Sequence, residues 1–284
     1  RNIILLSIFL IFLIGSYFQH NFMNNKLERL LDLKAEQKKV NEKFINAKRN
    51  VESGKYSTAK EELIEIINSN YNPDLWLESK YLLGLCHYYL EEYDDAVNNL
   101  IVIVNFFEKS NFSSLESEDR EKKMFIESIF KLCKSKFKNI PSYQYDQSRT
   151  KFVIDDLQYY LENENISTNA DIRSEIEMMI EDLRTNLALK SISQAKLYLK
   201  LEKYEASMLV INDVINQYYD LEVSDKAKVV KVYIYLFQGN FEVARNYRDK
   251  IKLINSDYFE VIDSLIGTNK DSLTLSEKIK FITS

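Results

Sequence analysis

Four copies of one local pattern constrain this chain more than anything else in it. Each copy is an apolar-periodic stretch, a short break, an aromatic residue, and a small residue three positions later. They read Gly54-Lys55-Tyr56 with Ala59, Glu91-Glu92-Tyr93 with Ala96, Glu202-Lys203-Tyr204 with Ser207, and Gly239-Asn240-Phe241 with Ala244. Tyr56 and Tyr93 lie 37 residues apart, and so do Tyr204 and Phe241. Self-similarity at this period predicts helical hairpins, each burying one face on its partner helix and another on the next hairpin.

The residue types fit that geometry. Helix axes approach to ~8–10 Å only where the contacting side chains are small. This gives a reason for Ala47, Gly84 and Ala195 in the first helices and for Ala59, Ala96, Ser207 and Ala244 at the starts of the second. The turn aromatic fills the wedge where each hairpin opens. Gly54 and Gly239 suit a left-handed helix end; Glu91 and Glu202, at the same place, are expected to reach the turn by another route. The gap from Tyr93 to Tyr204 is 111 residues, three periods. Phe130 and Ser167 do not sit in such turns, so one irregular repeat with a long inter-helix loop is expected there, with 145–161 supplying its second helix.

Composition narrows the class further. Only 5 Gly and 2 Pro occur in 284 residues, too few turn-formers for a many-stranded β protein. The expected fold is all-α, a solenoid of about five helical hairpins in a right-handed superhelix. A net charge of −5 lacks the basic footprint that phosphate binding needs, so nucleic acid is not an expected partner. Cys86 and Cys133 fall within apolar-periodic helices and read as buried thiols. His20 and His87 give no ligand cluster at metal spacing, and no metal or other cofactor is expected.

Residues 1–18 contain the uncharged run Ile3–Phe18. As a helix it would measure about 24 Å at ~1.5 Å per residue, short of the ~30 Å hydrocarbon core. With a basic start and Gly15-Ser16, it reads as a signal segment in preference to a short membrane anchor. Residues 19–40 read as a polar, basic linker. Residues 41–163 carry about three N-terminal repeats, the third irregular. Residues 164–254 carry two C-terminal repeats entered by a long helix, and 255–284 a helical tail. Lys131, Lys134, Lys136 and Lys138 read as a solvated face opposing a helix dipole. A polar loop is expected at Asn163–Asn169.

No familiar catalytic pattern stands out in the sequence. There is no G-x-S-x-G and no Gly-rich phosphate loop. Asp94-Asp95 and Asp155-Asp156 are adjacent pairs, and neighbours on a helix do not face each other. The chain is therefore read as a non-enzyme. On the concave side of the first helices, Phe44, Lys48, Tyr81, Leu85, Tyr88 and Tyr89 are the candidate peptide-binding groove. Tyrosines there supply rigid contact area with a polar tip. Packing of the same tyrosines on neighbouring repeats is the competing reading.

The pattern small–…–G-x-Y-x-x-A resembles the tetratricopeptide repeat. The segment PSYQYDQSRTKFVIDDLQYYLENEN is similar to the third repeat of BamD-type (ComL-like) lipoproteins of the outer-membrane β-barrel assembly machinery. IRSEIEMMIEDLRTNLALKSISQAKLYLKLEKYEAS is similar to that family's following long helix and repeat. The resemblance spans roughly 41–250. It implies a scaffold at the periplasmic face of the outer membrane. The N-terminal repeats would hold unfolded outer-membrane protein segments, and the C-terminal repeats would dock the barrel-forming insertase beside other assembly subunits. Two departures stand out. Gly15, Ser16 and Tyr17 occupy the place of the family's lipobox, without the acylated Cys, so no lipidation is implied. Val210 stands where many members carry a basic residue facing the insertase. The alternative is another envelope tetratricopeptide protein, a periplasmic chaperone or division factor, held in the inner membrane through its N-terminal segment.

Overall fold

A computed structural model describes residues 2–69, 73–110 and 119–267. The part of the expected tail beyond Gly267 falls outside these residues. Every element among those described is a helix. The chain divides into two compact units, Arg1–Ser135 and Lys136–Ser284.

The first unit holds α1 (Asn2–Glu52), α2 (Tyr56–Ser69), α3 (Pro73–Tyr89), α4 (Tyr93–Lys109) and most of α5 (Asp119–Lys138). Consecutive helices from α1 to α4 pack on one another, and α1 also touches α3. The second unit holds α6 (Thr150–Leu161), α7 (Glu164–Ser167), α8 (Ala170–Lys200), α9 (Tyr204–Gln217), α10 (Val223–Phe237), α11 (Phe241–Arg248) and α12 (Tyr258–Ile266). There α8 packs on α9, α9 on α10, and α8 also on α10. Contact with the next helix and with the one after it is the packing that the repeat pattern requires.

The four expected turns are one structure four times over. Gly54, Glu91, Glu202 and Gly239 all take positive φ, at 76°, 62°, 58° and 77°. In each, the following amide reaches back five residues: Lys55 N to Asn50 O, Glu92 N to His87 O, Lys203 N to Tyr198 O, and Asn240 N to Tyr235 O, at 2.8–2.9 Å. This is the Schellman closure. The expectation that the two glutamates turn differently is corrected. They occupy the same left-handed well, at the steric cost of a Cβ.

The small residues lie where expected. Ala47, Ala59, Ala96, Ala195, Ser207 and Ala244 are all fully buried. Ser207 Oγ donates to Ala195 O at 2.8 Å, so the α8–α9 crossing is also a hydrogen bond. A Cβ built on Gly84 would lie 2.8 Å from Leu100 Cγ and Cδ2, so α3 and α4 meet there without room for a methyl group. Cys86 and Cys133 are fully buried thiols outside any disulfide, as the sequence suggested.

Several boundaries differ from the sequence reading. Residues 19–40, read as a linker, are helical and continue α1. The signal segment expected at 1–18, with Gly15, Ser16 and Tyr17, has side chains outside the described residues. Among the described residues, no helix is long and apolar enough to cross a membrane. Asn163–Asn169 contains the short α7, with Asn163 and Asn169 capping α7 and α8 through their side-chain oxygens. α11 ends at Arg248.

Candidate functional site

The groove residues expected in the first unit are largely occupied by their own neighbours. Phe44 and Leu85 are only 7% and 6% exposed, packed with Ala47, Leu63 and Cys86. They are core residues and present no surface to a peptide, because their helix faces turn toward α2. Lys48 Nζ donates to Glu78 Oε1 at 3.3 Å, and Arg120 pairs with the same oxygen. Tyr81 Oη donates to Glu127 Oε2 at 2.8 Å. Burial, and then the Glu127 carboxylate, push the Tyr81 phenol far up. These bonds join α1, α3 and α5 to one another.

Tyr88 and Tyr89 remain at the surface of the same line of helices. Tyr89 is half exposed and stacks on Tyr56, with centroids 4.5 Å apart; Tyr88 meets it edge-on at 5.2 Å. Lys131 Nζ sits 4.4 Å and 4.9 Å from the two ring centroids. The lysine run is therefore not simply a solvated face. Lys131 is held by cation–π attraction, Lys134 lies over Phe130 at 4.3 Å, and Lys136 pairs with Asp156 at 2.5 Å.

His87 is less isolated than its sequence position suggests. Its Nδ1 lies 2.6 Å from Glu92 Oε2, with Asp95 close by. Lys60 Nζ bonds both Glu92 oxygens, at 2.7 Å and 3.0 Å. Hydrogen bonds from Lys60 and then His87 hold the Glu92 carboxyl below its ordinary range. A lysine ammonium between the oxygens opposes a second cation there, and the cluster ties α2 to the α3–α4 turn.

A groove lies in the second unit, where the sequence reading placed no residue. It is a cavity of about 420 Å³. Ile192 from α8 and Val229 and Val230 from α10 line it as buried core residues, and Leu189 from α8 and Val261 from α12 supply its more open apolar surface. Tyr143, Tyr233 and Tyr258 contribute rings, and Lys196 and Lys226 contribute charge. Burial pushes the Lys196 ammonium down, and Lys200 and Lys226 add to the shift by repulsion. Burial raises the Tyr258 phenol, reinforced by Glu222 and Asp225.

The wall formed by α12 depends on one buried carboxylate. Asp225, fully buried on α10, accepts from Ile254 N and Asn255 N at 2.8 Å each through Oδ2. Its Oδ1 accepts from Lys228 Nζ at 2.8 Å, and Lys228 also donates to Lys252 O at 2.7 Å. The segment after α11 is thereby pinned back on α10 before α12 begins. Arg248 and Asp263 add a two-pronged bridge at 2.6 Å and 2.7 Å between α11 and α12.

Such a groove can hold an apolar side chain on its apolar surface and an acidic group against its lysines. Sequence reasoning missed it because Tyr143, Lys196 and Tyr258 come from segments outside the paired repeat turns. The one available signal was that Leu189, Ile192 and Lys196 share a helix face at three- and four-residue spacing. Val210, half-buried on α9, packs against the core of the second unit. No protein-family model matches the chain, and no curated protein sequence matches it.

Proposed function

We propose that the chain is a non-catalytic tetratricopeptide-type scaffold that holds extended polypeptide segments carrying apolar and acidic residues. The observation that carries this is the groove of the second unit, with its apolar surface, tyrosine rings and two lysines. An aliphatic or aromatic side chain gains by leaving water on that surface. A carboxylate beside it relieves the repulsion between Lys196 and Lys226. Tyrosine provides amphipathic contact at low entropic cost.

The resemblance of 141–165 and 172–207 to BamD-type proteins extends the proposal. The chain would serve as a subunit of the outer-membrane β-barrel assembly complex, with the groove facing the barrel-forming insertase. In the first unit the ledge of Tyr56, Tyr88 and Tyr89 would receive unfolded outer-membrane protein segments. The continuous helix α1 favours a second reading, an envelope interaction protein carried on its N-terminal segment, since that helix extends well beyond the repeats.

Affinity capture from envelope extracts tests both. Recovery of a large barrel protein with repeated periplasmic domains, lost on Lys196→Glu with Lys226→Glu, supports the assembly role. Recovery of inner-membrane partners alone defeats it and leaves the second reading. Undiminished capture by the double variant removes the groove assignment.

A further inference from the structure

α1 projects away from the repeats along one stretch in particular. The side chains of residues 22–39 are all exposed, and contact with the core begins only at Val40. That is roughly 27 Å of helix at ~1.5 Å per residue. Its exposed apolar residues are large: Phe22, Met23, Leu27, Leu30, Leu31 and Leu33, from 48% to 70% exposed. At ~100° per residue these six fall on one half of the helix surface.

The acidic residues of this stretch are sorted to one side, and the five basic residues divide, with Arg29 and Lys39 on the acidic half. Lys26, Lys34 and Lys38 fall on the apolar half, between the leucines and at its border. Glu28, Asp32 and Glu36 all fall on the opposite half. A symmetric contact with a second copy would bring the three lysines of one helix against those of the other, a like-charge arrangement that opposes pairing. An anionic bilayer surface complements the same face. Leucine and phenylalanine enter the boundary of the acyl chains, and the lysines snorkel to the lipid phosphates.

We propose that residues 22–38 of α1 form an amphipathic helix lying on an anionic lipid surface, with Leu27, Leu30 and Leu31 inserted and Lys26, Lys34 and Lys38 on the headgroups. This does not depend on what the repeats bind. Each lysine near an anionic leaflet is worth roughly fivefold in partitioning, so the three together are worth on the order of a hundredfold.

The test uses the full chain. Single cysteines at Leu27→Cys, Leu30→Cys, Leu31→Cys, Glu28→Cys, Asp32→Cys and Glu36→Cys are labelled with an environment-sensitive fluorophore. Cys86 and Cys133 are fully buried, which keeps the label on the new thiol. Vesicles of phosphatidylcholine, with and without phosphatidylglycerol, are then added. The expected result is a blue shift and quenching by acyl-chain quenchers at 27, 30 and 31, with none at 28, 32 and 36. It should require phosphatidylglycerol and weaken about a hundredfold in Lys26→Gln/Lys34→Gln/Lys38→Gln. Water-like emission at all six positions overturns the proposal, as does an equal shift in neutral vesicles. Protection without vesicles that grows with protein concentration overturns it in favour of a second copy. No partner polypeptide is present, so these outcomes are independent of the scaffold reading.

Discussion

Gly84→Ala sets two known effects against each other at one atom. Alanine is the better helix former by about 1 kcal/mol, so on an open helix the substitution would stabilise. Here the new methyl group would sit 2.8 Å from Leu100 Cγ and Cδ2 and 3.4 Å from Asn99 Cβ. Carbon atoms settle at ~3.5–4.0 Å, so roughly 1 Å of movement is required. Leu100 is fully buried, as are Ile103 and Val104 one turn on, so its side chain has no free space to enter. Overpacking of this kind costs about 1–3 kcal/mol. The balance is a destabilisation of about 1 kcal/mol, of opposite sign to the propensity effect. Trp76 is the sole tryptophan and lies on α3, so its fluorescence during urea unfolding reports on the first unit. A second variant fixes the cause. Leu100→Ala alone should cost about 2–5 kcal/mol, and adding Gly84→Ala to it should cost nothing further or recover some stability, because the methyl group then enters the vacated volume. Stabilisation by Gly84→Ala in the otherwise unchanged chain would refute the argument that α3 and α4 are held apart by nothing but hydrogen atoms at this point.

Other perturbations bear on the turns, the buried carboxylate and the thiol. Glu91→Gly and Glu202→Gly should each stabilise by about 0.5–1 kcal/mol in urea unfolding, since glycine enters the left-handed well without the Cβ penalty; destabilisation would show that the glutamate side chains contribute more than their backbone strain. Asp225→Ala should cost about 3–5 kcal/mol by leaving Lys228 buried without its partner, and hydrogen exchange should quicken at the Ile254 and Asn255 amides; unchanged exchange there would remove Asp225 as the anchor of α12. Burial pushes the Cys86 thiol up to about 12. Above its ordinary range the unfolded thiol ionises first. Its contribution to stability should therefore be complete below that range and fall as pH rises toward about 12. Denaturation of Cys86→Ala alongside the unmodified chain measures this as a smaller alkaline loss; identical alkaline slopes would contradict it.

The sequence by itself determined the local geometry. Turn spacing, small residues at crossings and aromatics beside them placed four hairpins correctly, because each rests on residues within a few positions of one another. It also placed both buried thiols. It erred over Glu91 and Glu202, because a closed turn with an aromatic and a small residue after it can force a non-glycine residue into the left-handed region. It placed Phe44 and Leu85 in a groove, because helix periodicity identifies a face without saying which neighbour covers it. Only the tertiary structure decided that α1, α3 and α5 are joined through Lys48, Glu78, Tyr81 and Glu127. It alone brought Tyr143, Lys196 and Tyr258 to one cavity. The reason is range: turns are closed by hydrogen bonds spanning three to five residues, whereas the groove depends on a buried Asp225 gripping amides about thirty residues further along the chain.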